Sequence, residues 1–240
     1  MKNRNAFFYI IIALALLSVA GLVFFLAPGR TPDTPAVLLP TPAPTENVSS
    51  GSGTPAAEVL AVTPATVQTV LATLTRAECY SRSLRVQDFY SGGSRSRSIT
   101  VYASPDALRL DISADGSPEE HLLLRDGRKW LWYADADGVY TGPASDGDAD
   151  AYQTILTYED VLAAPKKDIL DAGYVEFGGT YCIFVRWRFG TLGYESECYI
   201  DPVSGLLLGE RCYDGDVLIY SMDSDTPELG LPAEALFAAP

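Results

Sequence analysis

The feature that most constrains the fold is a period of two in hydrophobicity, which runs from Cys79 almost to the end of the chain. Apolar and polar residues alternate in roughly ten short segments, with turn-forming pairs such as Asp126-Gly127 between them. Strands joined by tight turns pair antiparallel with their neighbours. We therefore expect a meander of strands at residues 79–90, 98–103, 108–113, 121–124, 129–133, 138–141, 169–177, 180–189, 192–200, 206–213 and 217–222.

Two segments depart from this period and predict helices. Residues 65–77 have apolar side chains at helical spacing, after a Thr63-Pro64 pair that is typical of a helix start. Residues 158–164 predict one or two helical turns, which follow an acidic loop at 145–150 and end at Pro165. The expected fold class is mainly β with few helices: a single strongly curved antiparallel sheet with a leading helix and a mid-chain helical insertion.

A membrane segment precedes this domain. Residues 6–27 form a run of 22 uncharged, mostly apolar residues, which is long enough to span a hydrocarbon core of ~30 Å as a helix. Lys2 and Arg4 precede the run, so the N-terminus is expected in the cytoplasm and the rest outside it. The alternative is a cleaved signal peptide. We expect residues 1–27 to be a cytoplasmic tip and a single-pass, uncleaved transmembrane anchor in the cell membrane.

A linker and an acidic domain follow the anchor. Residues 28–64 are rich in Pro, Thr and Ser and have no sustained apolar period, which predicts a semi-extended spacer. The chain has a formal net charge of −14, and residues 1–66 are neutral, so the charge belongs to the extracytoplasmic domain at 65–240. An acidic domain lacks the basic footprint that nucleic-acid binding requires.

No pattern in the sequence predicts catalysis, a metal or a cofactor. The single histidine, His121, has no nucleophile motif near it, so we expect an ordinary strand residue rather than a catalyst. Asp146, Asp148 and Asp150 alternate as calcium ligands do, but the Gly and Glu of an EF-hand loop are missing at the corresponding positions. We therefore expect a non-enzymatic protein with no metal site.

The four cysteines all lie beyond the membrane segment, where disulfides can form. In the hairpin at 180–200, a three-residue loop would place Cys182 opposite Cys198 and allow a cross-strand bridge, whereas a two-residue turn would place Tyr199 opposite Cys182. We prefer the first register, which leaves Cys79 and Cys212 as a second pair. Four free, buried cysteines are the alternative. The second register gathers five apolar residues on one face: Ile183, Val185, Trp187, Tyr194 and Ile200.

Several segments, taken together and in order, resemble the LolA/LolB-like family of lipoprotein carriers. This family also includes RseB-type regulators and Gram-positive sporulation and germination proteins. The segments are DGRKWLWY at 126–133, YEDVL at 158–162, AGYV at 172–175, YIDPVSGLLL at 199–208 and YDGD at 213–216.

The resemblance implies an open half-barrel whose apolar, concave side is closed by helices. In the carriers this side takes acyl chains, and in the regulators the domain serves a protein partner. On this basis eight residues are expected to contact a hydrophobic ligand, and the alternative is that they are the ordinary core of the sheet: Trp130, Trp132, Tyr133, Tyr174, Ile183, Val185, Trp187 and Tyr194.

An anchored protein cannot ferry cargo between two membranes, so we do not expect a lipoprotein shuttle. The expected function is a binding protein of the bacterial cell envelope that holds a lipid or an acyl chain in the concave face. The alternative is a regulatory or structural module that binds an envelope protein and no lipid.

Overall fold

A computed structural model describes residues 61–145 and 147–240. The predicted membrane anchor at 6–27 and nearly all of the linker at 28–64 lie outside these residues. Within them, none of the helices has both the length and the apolar composition that a membrane span requires.

The element order in these ranges agrees with the expected meander. The elements are α1 (Val67–Leu71), β1 (Tyr80–Tyr90), β2 (Gly93–Ser104), β3 (Ala107–Ala114), β4 (Glu120–Arg125), β5 (Arg128–Tyr133), β6 (Val139–Pro143), α2 (Asp148–Gln153), α3 (Tyr158–Ala163), a 3-10 turn (Lys166–Asp168), β7 (Ile169–Phe177), β8 (Thr180–Phe189), β9 (Tyr194–Ile200), β10 (Leu207–Asp214), β11 (Val217–Ser224), β12 (Glu228–Leu229) and a second 3-10 turn (Glu234–Phe237).

All strands belong to one antiparallel sheet, which is not closed. Its order is β6-β5-β4-β3-β2-β1-β11-β10-β9-β8-β7, and β12 pairs with the start of β1. The chain therefore runs outward from β1 to one edge, crosses over through α2 and α3, and returns from the other edge until β11 pairs with β1. The edges are β6 and β7, and the crossover is the segment that lies over the sheet.

The two faces of the sheet have different environments. Along β1, alternate residues Tyr80, Leu84 and Val86 are buried. Arg82 shares this face and donates a hydrogen bond to Gln153 of α2, so this is the face that the helices cover. We call it the inner face, and the opposite one the outer face.

The core lies between the inner face and the helices. Val67, Leu71 and Val161 of the helices belong to one buried cluster with strand residues on both sides of β1, such as Leu122 on β4 and Ile183 on β8. Fully burying a side chain of this size contributes about 1.5–3 kcal/mol. Apolar packing against the sheet therefore holds helices that are too short to be stable alone.

The helices differ in extent from the sequence prediction. The leading helix is limited to Val67–Leu71, because the Thr73 hydroxyl donates to the Val70 carbonyl at 2.7 Å and the chain then turns to pair Ala77 N–H with the Ser204 carbonyl. α2 was not expected, since its first half lies in the predicted acidic loop. α3 is confirmed and ends before Pro165.

Some strand boundaries also differ. β2 begins at Gly93 instead of at residue 98, because Tyr90 pairs with Gly93 across a two-residue turn and the polar run after Gly93 continues the strand. The hairpin at Asp126-Gly127 is confirmed, and both residues have positive φ, as a type I′ turn requires.

A turn between β9 and β10 fixes the chain that follows α1. The Asp201 carboxylate accepts hydrogen bonds from Val203 N–H at 3.0 Å and from Ser204 N–H at 3.1 Å. Gly205 has φ of +68°, and a Cβ added there would lie 2.9 Å from the Thr75 carbonyl oxygen. Glycine is therefore needed both for the turn and for the close approach of the two backbones.

The C-terminal tail packs on the outer face. Arg109 and Arg125 donate hydrogen bonds to the carbonyl oxygens of Leu236 and Phe237, each at 3.1 Å. Phe237 is only 4% exposed. The tail thus covers the outer face of β3 and β4.

Candidate functional site

The crossover segment at 148–163, which contains α2 and α3, lies over the inner face and is named here the cover. Its central contact with the leading helix is Gln68, whose side-chain amide donates to the Val161 carbonyl at 2.9 Å and to the Ala164 carbonyl at 2.8 Å. A capping box starts α3, because Thr157 and Asp160 satisfy each other's backbone N–H groups.

Ion pairs connect the cover to the rest of the domain at its surface. Arg76 lies 2.8 Å from Asp150 and 2.7 Å from Glu159, and so bridges the two helices. Lys129 of β5 lies 3.1 Å from Asp148 at the start of α2. Partly exposed ion pairs of this kind contribute ~0–1 kcal/mol each to stability. They therefore orient the cover and add little to the free energy that keeps it closed.

A buried arginine anchors α2. Arg82 is 4% exposed and donates to the Gln153 side-chain oxygen at 2.9 Å and to the Leu207 carbonyl at 3.0 Å. No carboxylate in the described ranges forms an ion pair with it, and burial lowers the pKa of its guanidinium. Its hydrogen-bond acceptors are therefore neutral, one of them belongs to the cover, and the guanidinium also lies 5.5 Å from the centroid of the Tyr80 ring.

A buried glutamate anchors the connection between α2 and α3. Glu210 is 3% exposed, and its carboxylate accepts from Leu156 N–H at 3.3 Å and from the Ser196 hydroxyl at 3.2 Å. Burial, to which the negative charge of Asp160 adds, raises the pKa of Glu210 to about 7. Two ionisable side chains of the inner face, Arg82 and Glu210, thus form hydrogen bonds with the cover.

Clefts remain beside the cover. The cleft between α3 and the end of β8, named here the α3 cleft, has a volume of about 480 Å³, and Leu156, Ala164, Trp187 and Phe189 form its apolar lining. Two further clefts flank α2, with volumes of about 380 and 330 Å³. Volumes of this order lie at the lower end of the range for small-molecule sites.

Six of the eight expected ligand residues lie on the inner face. Ile183, Val185 and Trp187 are buried there, and Trp187 also lines the α3 cleft. The other three are partly exposed; Tyr133 lines the 380 Å³ cleft, and the register places Tyr174 and Tyr194 beside the buried group. No bound ligand tests these contacts, so they stay a prediction.

Trp130 and Trp132 do share a face, but it is the outer face, so the concave-face contact expected for them is wrong. Leu131 lies between them and pairs with Leu122, which belongs to the inner core. Side chains alternate along a strand, and the inner position of Leu131 therefore sends both indoles outward.

His121 belongs to the same outer surface. Its Nδ1 lies 2.7 Å from an Asp111 carboxylate oxygen, which also accepts from Arg109 Nε at 2.9 Å. The imidazole stacks on Trp132 with ring centroids 5.1 Å apart. Within the described ranges, no group of three or more His, Cys, Asp or Glu side chains is arranged to hold a metal ion.

The expected disulfides are absent: Cys79, Cys182, Cys198 and Cys212 are all free thiols. The preferred register is also wrong, because a four-residue loop after Phe189 pairs Val185 with Cys198 and places Cys182 on the outer face. The second register places each side chain on the correct face of the sheet, although its residue pairs differ from the observed ones by a shift of two residues. Burial raises the pKa of the Cys182 and Cys198 thiols, which makes both poorly reactive.

Sequence reasoning missed Arg82 and Glu210, because it treats charged residues as exposed. For Arg82 a signal existed: it lies two residues before Leu84 and so shares its face. For Glu210 the alternation is hidden by a bulge between Leu207 and Gly209.

Comparison with known proteins finds no matching family model and no matching curated protein. Solved structures do match. A LolA superfamily protein from Nitrosomonas europaea has a TM-score of 0.36 and 10% identity, with 72% of this chain and 97% of that chain covered.

Two further structures that match are a DUF1329 family protein from Desulfovibrio piger and an outer membrane lipoprotein-sorting protein domain from Vibrio parahaemolyticus. The first has a TM-score of 0.28 and 14% identity, with 73% of this chain and 95% of that chain covered. The second has a TM-score of 0.29 and 12% identity, with 72% and 95% covered. All three TM-scores lie below 0.5, and the identities do not exceed 14%.

Proposed function

We propose that this chain is a non-enzymatic binding protein of the bacterial cell envelope, anchored by residues 6–27, which holds a lipid or an acyl chain between the inner face and the cover. The observation that carries the proposal is the α3 cleft, an opening next to the buried core in which Leu156, Trp187 and Phe189 form an apolar part and Asp160, Asp168 and Arg188 add charged groups that suit a ligand with a polar head. Two of the similar structures, a LolA superfamily protein and an outer membrane lipoprotein-sorting protein domain, have names that agree with this role.

The breadth of the sheet also supports the proposal. Eleven strands at ~4.8 Å spacing would span about 48 Å if they were flat, whereas a six-residue helix is only ~9 Å long. Yet one buried cluster joins α1 and α3 to residues from Leu122 on β4 to Ile169 on β7. We infer that the sheet curls around the helices as a half-barrel, and that moving the cover would expose a mainly apolar concave face on which Arg82 and Glu210 are buried, ionisable side chains.

A photo-crosslinkable fatty acid tests this function. The full chain is incubated with a diazirine analogue of palmitate, irradiated and digested, and the adducts are mapped by mass spectrometry. We expect adducts on the peptides that line the α3 cleft, and we expect Ala164→Trp, which fills the cleft, to remove them. Val203→Trp is the matched control, because Val203 is 78% exposed in the turn at the far end of β9.

The result has a clear contrary outcome. Adducts that are confined to the membrane segment, or that persist in Ala164→Trp, would contradict ligand binding at this cleft. In that case the alternative gains weight: a module that binds an envelope protein and no lipid. One observation favours this alternative, namely that side chains such as Leu71, Val161 and Val185 already fill much of the space under the helices.

A further inference from the structure

Glu210 occupies a position that is unusual for a carboxylate. It lies on the inner face of β10 under the cover, 3% exposed, and no Lys, Arg or His of the described ranges forms an ion pair with it. Burying an ionised carboxylate without a cation beside it carries a large cost in free energy, so such a carboxylate either takes up a proton or moves into water.

The groups that face Glu210 add no compensating positive charge. Asp160 approaches from α3, Cys198 and the Ser196 hydroxyl from β9, Cys212 from β10 itself and Tyr220 from β11. All of these are neutral or acidic at neutral pH. Arg97, which acts on Tyr220, is itself paired with Asp88 at 3.2 Å. Arg82 of the same inner face donates to the Leu207 carbonyl and to Gln153 and forms no ion pair with Glu210.

The same carboxylate has a mechanical connection to the cover. It accepts the hydrogen bond of Leu156 N–H at 3.3 Å, and Leu156 lies in the short connection between α2 and α3. Next to this connection, the Tyr220 hydroxyl donates to the Thr154 carbonyl at 2.6 Å. If ionised Glu210 moves into water, the cover loses the carboxylate that holds its centre.

We propose that the cover is a proton-operated gate: with Glu210 protonated the cover stays closed over the inner face, and loss of that proton favours an open state in which the α2–α3 connection leaves the sheet. The proposal rests on the proposed function in one respect, because the face that opens is the one assigned to the ligand. The opening itself requires no ligand, and its test uses none.

The direction of the pH dependence follows from linkage. The pKa of Glu210 is raised to about 7 when it is buried and would return to its ordinary value near 4.5 when the cover is open. The closed state therefore binds the proton more tightly, and its advantage is lost as pH rises between these two values. The opening constant should increase on the order of fiftyfold between pH 5 and pH 7.5, and should level off above that.

Hydrogen exchange of the full chain measures this constant. Exchange rates of peptides that cover residues 154–160 are recorded from pH 5 to pH 9 by mass spectrometry and divided by the intrinsic rates. We expect the roughly fiftyfold rise in the wild-type chain. In Glu210→Gln, which keeps the size and polarity but cannot ionise, the corrected rate should not depend on pH. Glu197→Gln is the matched control, because Glu197 lies on the outer face of β9, and it should behave as the wild type does.

A second variant covers the case in which Glu210→Gln does not fold. Ser196→Ala removes a hydrogen bond that lowers the pKa of Glu210, so the midpoint of the opening transition should move to higher pH. A wild-type rate that does not change with pH, or equal pH dependence in the wild type and Glu210→Gln, would overturn the gate. Neither result bears on the fatty-acid crosslinks, so a failure here is distinct from a failure of the proposed function.

Discussion

Gly205 offers the sharpest test of how the turn between β9 and β10 supports the cover. Replacing it by Ala has two effects. The residue must keep φ of +68°, which costs an L-residue roughly 1–2 kcal/mol. The added methyl must also fit 2.9 Å from the Thr75 carbonyl oxygen and 3.0 Å from Arg76 Cα, a backbone overlap of the kind that costs about 1–3 kcal/mol.

The second effect can be isolated with a matched glycine. Gly190 also has φ of +68°, but a Cβ added there would meet nothing within 4 Å. Gly190→Ala should therefore lose only the conformational part, whereas Gly205→Ala should lose about 2–5 kcal/mol in total. For a domain with a typical stability of ~5–15 kcal/mol this is a large fraction.

Urea unfolding of the two variants, followed by tryptophan fluorescence, gives both free energies of unfolding. The reasoning predicts that Gly205→Ala is less stable than Gly190→Ala by about 1–3 kcal/mol, with unchanged m-values. Equal losses in the two variants would refute it, because the close approach to Thr75 would then have no energetic consequence.

Three further predictions concern the cap, the tail and the thiols. Thr157→Ala removes half of the capping box of α3 and should destabilise that helix by about 0.5–2 kcal/mol. The loss should be measured as faster amide exchange in residues 157–163. Thr180→Ala is the control, because Thr180 lies in a strand, and it should leave this exchange unchanged. Phe237→Ala should cost ~3–5 kcal/mol in urea unfolding, since Phe237 is 4% exposed; a loss near zero would mean that the tail does not pack on β3. Ellman titration under non-reducing, denaturing conditions should find all four cysteines as thiols, whereas two thiols or none would reveal a disulfide.

The strand pattern could be predicted from the sequence because one face of each strand is buried. The period of two correctly grouped Ile183, Val185 and Trp187 on one face. It did not fix the pairing of β8 with β9, because a loop of four residues with positive φ at Gly190 and Gly193 is sterically as acceptable as a shorter turn. The length of this loop is decided by how β8 and β9 pack in the folded domain, which the local sequence does not reveal.

The candidate site was harder to predict than the fold, for two physical reasons. The resemblance to the carriers implies a concave-face contact for Trp130 and Trp132, but alternation with Leu131 decides their direction. Arg82 and Glu210 were overlooked because a buried charge is unfavourable in isolation and becomes tolerable only with partners from distant elements, such as Gln153 and Leu156.

The strand order has a consequence for synthesis on the ribosome. β2 can pair with one edge of β1 as soon as it emerges, but the other edge must wait for β11, which begins at Val217. Some 130 residues separate them, and at 5–20 residues per second the delay is roughly 6–25 s. During this time the hydrogen-bonding groups of a long strand with an apolar face stay unpaired, a state that invites aggregation. The nascent half-sheet is therefore expected to depend on chaperones until the last hairpin arrives.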